Sequence, residues 1–267
     1  MKQVKADPNS ISIHSVQADY YKFRTPYILG LFEGVRKELG ITKDSILMDL
    51  GCGRGEIANI LCKYARKVYA IDGSKEMIDF AIKKDSIEYQ LVDLNYDNPV
   101  IENEVDHMFF GRSIHWFPSE SLHRLSSTLL AVEGRIVVCS TQWFPVGDWG
   151  KVYLDTKQKF IAPTQKKRKH DFTGRSNLNG AGFSPIKKLA IERVFKADIE
   201  FMVGHTFSTT YGQRLENLKK NAVEFEDQLK RSLKIFEEKR EIAMNVTSWA
   251  YIYQRKSELN IDARKSA

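Results

Sequence analysis

A chain of 267 residues with 42% hydrophobic content can bury one large core, or one core plus a subdomain, as a soluble globular protein. No stretch approaches the run of about 18 apolar residues that a membrane-spanning helix needs, and Met1 to Pro8 lack an apolar secretory core. The three cysteines, Cys52, Cys62 and Cys139, have no spacing for zinc or a disulfide framework; a reducing cytoplasm is the expected location.

Residues 1–40 read as an N-terminal entry and cap segment. Ile46-Leu47-Met48-Asp49-Leu50 then suits a strand buried on both faces. Gly51, Gly53 and Gly55 follow at alternate positions, permitting a tight turn in which backbone meets the ligand. Helical spacing resumes at Ile57, Ile60, Leu61 and Tyr64. The dinucleotide fingerprint requires glycine at its sixth position, where this chain has Glu56. A carboxylate suits the helix dipole but repels a phosphate at the same helix start, so the turn favours a ligand without phosphate. Asp49 adds negative charge suited to an ammonium or a sulfonium.

Lys67 to Asp72 reads as a second buried strand ending in an acid, followed by Gly73 and by Ser74 as N-cap of a helix containing Met77. An acid at this tip accepts both ribose hydroxyls of an adenosine, or else caps a turn. A third strand, Ile87 to Val92, leads into Asp93-Leu94, an acid that can bond an adenine amine and an apolar residue that can cover the base. The fourth, Val105 to Phe110, leads into Gly111-Arg112-Ser113-Ile114-His115-Trp116-Phe117, and the fifth spans Gly134 to Cys139.

From Thr141 to about Leu189 the alternation of strand and helix lapses. Aromatic residues gather there, among them Trp143, Phe144, Trp149, Tyr153 and Phe160, and residues 142–185 are expected to form a lid inserted into the core. The net charge of +7 and the run Lys166-Lys167-Arg168-Lys169-His170 raise nucleic acid as a partner. The run has no interleaved stacking aromatics and reads as a solvated loop. A sixth strand is expected over Lys188 to Phe195 and a short helix over Ala197 to Thr206. Leu215, Leu218, Ala222, Phe225, Leu229, Leu233 and Phe236 define one long amphipathic helix, packed on the sheet or serving a dimer. Asn245 to Gln254 reads as the last strand, and 257–267 as a charged, frayed tail.

The ordered acids and glycines, Asp49 to Gly55, Asp72 and Asp93, resemble the class I S-adenosylmethionine-dependent methyltransferases. The resemblance implies an α/β, Rossmann-like fold: a seven-stranded, mostly parallel sheet whose last strand is antiparallel, helices on both faces and an inserted lid. The core would comprise 41–141 and 186–256. The cofactor would be S-adenosyl-L-methionine, with S-adenosyl-L-homocysteine as product, held by Asp49, Gly51, Gly53, Asp72, Gly73, Met77, Asp93, Leu94 and Gly111. His115-Trp116-Phe117 and the entry segment Ala18 to Tyr27 look like the small-molecule branch that includes trans-aconitate methyltransferases. There an arginine before proline helps hold the methionine carboxylate. Arg24 is the matching position, although Thr25 stands where proline is common.

Methyl transfer asks chiefly for positioning, which can supply roughly 7–11 kcal/mol. A hydroxyl or protonated amine acceptor needs a base, for which His115 is the candidate; a carboxylate needs none, and Arg112, Arg175 or lid lysines would bind it. Tyr20, Arg112, Trp116 and Trp143 are the candidate substrate contacts. His123, His170 and His205 show no ligand spacing, so no metal is expected. Gly111 to Ile114 lacks the Asn/Asp-Pro-Pro-aromatic motif of base-amine methyltransferases, which argues against a nucleic-acid partner. The expected activity is methyl transfer to an oxygen or nitrogen of a small metabolite or natural product, by a monomer or homodimer. The alternatives are a carboxyl O-methyltransferase on a small organic acid, an RNA methyltransferase, and a non-catalytic S-adenosylmethionine-binding protein.

Overall fold

The structure is a computed structural model that describes residues 18–161, 171, 173–210, 213–238 and 241–257. The run Lys166 to His170 and the tail from residue 258 lie outside them.

Seven strands form one sheet in the order β3-β2-β1-β4-β5-β7-β6. They are β1 (Ile46–Leu50), β2 (Lys67–Asp72), β3 (Ile87–Leu91), β4 (Val105–Gly111), β5 (Leu130–Phe144), β6 (Phe183–Ala197) and β7 (Ile242–Arg255). β1 to β5 pair in parallel, and β7 runs antiparallel to both β5 and β6. The helices are α1 (Leu29–Leu39), α2 (Glu56–Leu61), α3 (Lys75–Asp79), α4 (Ser119–Leu129), α5 (Gly147–Phe160), α6 (Arg175–Gly180), α7 (Ile199–Ser208), α8 (Gln213–Lys220) and α9 (Ala222–Leu233). A 3-10 turn, Ala18–Phe23, opens the described chain.

Because side chains alternate along a strand, each central strand feeds two cores. Met48, Leu50, Met108, Phe110, Ile136 and Val138 face α4 and α6, where Leu122, Leu125 and Leu178 meet them. Leu47, Val68, Ala70, Phe109 and Val137 face α1 and α2, against Phe32, Val35, Ile57 and Leu61. The same alternation sends Asp49 to the α2 side. A third core lies past the carboxyl end of β5. It joins Trp143, Tyr153, Met202, Phe207, Phe225, Leu229 and Leu233 to Met244 and Val246 of β7.

Three local outcomes differ from the sequence expectation. β5 and β6 are longer than the apolar patterns show, because β7 supplies a paired backbone as far as Phe144↔Asn245 and Phe183↔Arg255. The proposed lid therefore shares its first and last residues with strands, and it contains α5 and α6. β6 is an edge strand, largely exposed and rich in charge at Lys187, Lys188, Glu192, Arg193 and Lys196, as edge strands that resist pairing commonly are. The long helix is two helices. Asn221 leaves helical geometry (φ −117°, ψ 25°), and its side-chain amide donates to the Asn217 carbonyl, a local bond that competes with helix continuation. The apolar stripe is covered within the chain, where α9 packs on α5 and α7. Among the described residues, no helix is long and apolar enough to cross a membrane.

Phe225 is fully buried at the centre of the third core. Phe225→Ala should lower unfolding free energy by about 3–5 kcal/mol, measured as a fall in the urea midpoint; an unchanged midpoint would contradict this packing.

Candidate active site

The carboxyl ends of β1 and β4 lie side by side, and the adjoining connections diverge to opposite faces of the sheet, the usual ligand crevice of an open parallel α/β sheet. Gly51 takes φ 66°, and a Cβ there would stand 2.6 Å from that of Ser113, so the two strand exits approach as closely as glycine permits. The Ser113 hydroxyl donates to the Leu50 carbonyl at 2.6 Å and fixes this approach.

Asp49 is 1% exposed. Its Oδ2 accepts the Ala58 N–H of α2 at 3.0 Å, and its Oδ1 is buried with no hydrogen-bond partner among the described residues. Burial, reinforced by the charges of Asp72 and Glu56 and opposed by the Ala58 N–H, pushes the carboxyl up to about 8. Asp72 ends β2. Its Oδ2 accepts from Gly53 N–H at 2.7 Å and its Oδ1 from Ser74 N–H at 2.9 Å. Burial raises this acid too, against bonds from the N–H groups of Ser74, Gly53 and Gly73. Ser74 caps α3 by accepting the N–H of the buried Met77. Asp93 is partly buried past β3 and accepts from Asn95 N–H at 3.1 Å. The Leu94 side chain lies in the α4-side core.

Arg112 follows Gly111 with φ 59°, the left-handed region that few non-glycine residues occupy. Its Nη2 donates to Glu56 Oε2 at 2.5 Å, its Nη1 to the Thr25 carbonyl at 3.3 Å, and its guanidinium lies 5.1 Å from the Tyr27 ring centre. This corrects two expectations. Glu56 is neutralised by Arg112, so the bias against phosphate rests on Asp49 and Asp72, and Arg112 acts in the structure as a clamp between β4, α2 and the entry segment.

The entry segment bridges the crevice and the third core. The Tyr21 hydroxyl lies against Gly53, 2.9 Å from where a Cβ would stand, and burial and the charge of Glu56 push it up to about 12. The Arg24 guanidinium lies 5.5 Å from the Tyr21 ring centre. On the other side Tyr20 stacks on Phe207 at 4.9 Å, and the Phe23 carbonyl is 3.0 Å from His205 Nδ1. His115 and Trp116 occupy the 3-10 turn Ile114–Trp116 at the β4 exit, their rings 4.7 Å apart. Asn95 bonds the Trp116 carbonyl, which ties the β4 exit to that of β3. Trp143, 4% exposed, stands among Trp149, Tyr153 and His205 at 5.8, 5.1 and 5.3 Å. Trp143 thus belongs to the third core, whereas His115 and Trp116 sit at the crevice. Arg175 is exposed on α6.

Sequence reasoning gave no role to His205 or Arg214, singled out Lys157 only as one of the lid lysines, and gave Tyr21 none beyond its place in the entry segment. Trp149, Tyr153, Thr156 and Phe160 recur at helical steps, and that signal would have identified α5. No three His, Cys, Asp or Glu among the described residues are grouped as for a metal.

Residues 48–138 match the family model of a methyltransferase domain, Methyltransf_11, from β1 through most of β5. A methyltransferase-like protein of Schizosaccharomyces pombe is 27% identical over 124 residues, 45% of this chain and 47% of that protein. A Dictyostelium discoideum protein named as a methyltransferase is 28% identical over 127 residues, 47% of each. The chain spans about half the length of these curated relatives. A solved structure from Anaeromyxobacter dehalogenans, named as a type II methyltransferase, shares the fold with a TM-score of 0.65 at 15% identity, over 87% of this chain and 97% of that one. Strand order, acidic turn and matched stretch are those of a methyltransferase domain, and residues 48–138 carry the match.

Burial raises the folded Asp49 carboxyl to about 8, against 3.8 for an ordinary aspartate, so the folded state binds this proton more tightly than the unfolded one. The resulting stability is complete at low pH and declines until pH passes about 8. Asp49→Asn should therefore melt above wild type by a margin that widens from about pH 5 to about pH 8 and then levels off. Parallel melting curves, measured without added ligand, would remove the buried charge from this account.

Proposed function

We propose that this protein binds S-adenosyl-L-methionine at the β1–β4 crevice and transfers its methyl group to an oxygen or nitrogen of a small metabolite or natural product. The observation that carries this reading is the buried Asp49 carboxylate with an unpartnered oxygen, beside Asp72 at the glycine turn. Such a group is costly without a partner and fits a cationic ligand. Asp49, Gly51, Gly53, Gly73, Met77 and Gly111 would form the cradle, with Asp72 serving the ribose, Asp93 and Leu94 the adenine, and Arg24 the methionine carboxylate. When bound, the cofactor supplies a methyl group on a sulfonium that leaves as a neutral thioether.

The chain's own work is to orient the acceptor and exclude water. Residues 142–185, with α5 and α6, would cover it, and Tyr20, Trp116 and Trp143 would line it. Arg112, braced by the entry segment, would contact it as well. His115, at the β4 exit, would take the proton of a hydroxyl or amine acceptor. The enclosed aromatic surroundings favour a small molecule over a nucleic-acid strand; a cytoplasmic monomer or homodimer completes the proposal.

Two measurements test it. Asp72→Ala should weaken calorimetric affinity for S-adenosyl-L-homocysteine by about tenfold or more, and equal affinity would overturn the ribose assignment. Incubation with methyl-labelled cofactor and a metabolite extract should yield a labelled small product, which would disprove the proposal by its absence. With that acceptor in hand, His115→Ala should lower kcat by roughly 100-fold or more at unchanged cofactor affinity. Normal turnover would eliminate His115 as the base.

A further inference from the structure

We infer that Lys157, Arg214 and Trp143, in the third core beyond the carboxyl end of β5, form a subsite for a carboxylate or phosphate group of the acceptor. This deepens the methyl-transfer reading and rests on it.

The three groups share one neighbourhood. Lys157 Nζ lies 5.8 Å from the Tyr153 ring centre, and Tyr153 meets Trp143 edge-on at 5.1 Å. Arg214 is close enough for its charge to bear on Lys157, whose ammonium is held down to about 8, first by burial and then by that charge. Each brings an unused donor. Arg214 Nε and Trp143 Nε1 are buried without a hydrogen-bond partner among the described residues. Neither Lys157 nor Arg214 forms an ion pair with a described carboxylate.

A guanidinium N–H and an indole N–H buried without an acceptor among the described residues, beside a partly buried ammonium, are unfavourable. An anion with several oxygen atoms entering this neighbourhood would offer acceptors to these donors, and charge-assisted bonds are the strong ones. His205, tilted against Trp143 at 5.3 Å, reinforces this: burial and the charges of Arg24, Lys157 and Arg112 lower its imidazole to about 3. The charged groups at this position are therefore cations, whereas those at the glycine turn are the acids Asp49 and Asp72, which a bound cation would ionise. The entry segment separates them, with Tyr21 against Gly53 and Tyr20 against Phe207. A cationic cofactor and an anionic acceptor are thus sorted to opposite sides of one short turn.

The test titrates citrate and inorganic phosphate separately into protein saturated with S-adenosyl-L-homocysteine, by calorimetry at fixed ionic strength. Wild type should bind at least one of them saturably. Lys157→Met and Arg214→Met should each weaken that binding about tenfold or more, and Trp143→Phe should weaken it less. Lys157→Arg should restore it, and all variants should hold S-adenosyl-L-homocysteine within about twofold of wild type. Binding of citrate alone assigns a carboxylate, and binding of phosphate alone a phosphate. Equal anion affinity across the variants overturns the subsite, as does absence of saturable binding to wild type that binds S-adenosyl-L-homocysteine normally; either result leaves methyl transfer standing. A wild type that fails to bind S-adenosyl-L-homocysteine overturns both.

Discussion

The close approach of the β1 and β4 exits is the constraint on which the rest of the site depends. Gly51 has no side chain to keep Ser113 away, and the Ser113 hydroxyl closes the gap onto the Leu50 carbonyl. This contact places the Asp49 carboxylate under the first turn of α2 and the His115-Trp116 turn above the same crevice. Widening it by even one methyl group would separate the acid that recognises a cation from the side chains proposed to meet the acceptor. Interiors transmit such strain because they are close-packed.

Around this point the charges are partitioned. Asp49 is buried and Asp72 partly buried, both held above the ordinary carboxylate range while accepting backbone N–H groups, whereas Glu56 is offset by Arg112. Burying a carboxylate in this way works against folding, and sites that bind charged ligands commonly carry such a deficit. Arg112 carries a second one in its left-handed backbone, held by three contacts to different parts of the chain. The two features are related, because the residue under backbone strain is the one that screens the acidic turn.

Much of this was legible in the sequence, for identifiable reasons. β1, β2 and β4 are short apolar runs covered on both faces, and each ends at an acid or a glycine that the turn chemistry requires. The Ser74 cap was readable from its position before Lys75-Glu76-Met77, and it forms as expected. The extents of β5 and β6 were not legible, because antiparallel pairing with β7 extends them past their apolar stretches. The break at Asn221 was hidden beneath an apolar stripe that continues through it. Glu56 and Arg112 are distant in sequence and meet only because the sheet joins β1 to β4. Lys157, His205 and Arg214 come from three helices, so neither spacing nor composition could bring them together.

β7 begins in the third core with Ile242, Met244 and Val246 and continues into the central cores with Ala250 and Tyr253. β5 makes the same passage in the opposite direction, from Ile136 to Trp143. Two continuous strands, hydrogen-bonded to each other from Ile136↔Tyr253 to Phe144↔Asn245, thus belong at once to the central cores and the third core. The third core is therefore no detachable module. It shares the folding cooperativity of the sheet, and under the proposed function a change of acceptor preference would come through side chains on α5, α7 and α8 rather than through exchange of a domain.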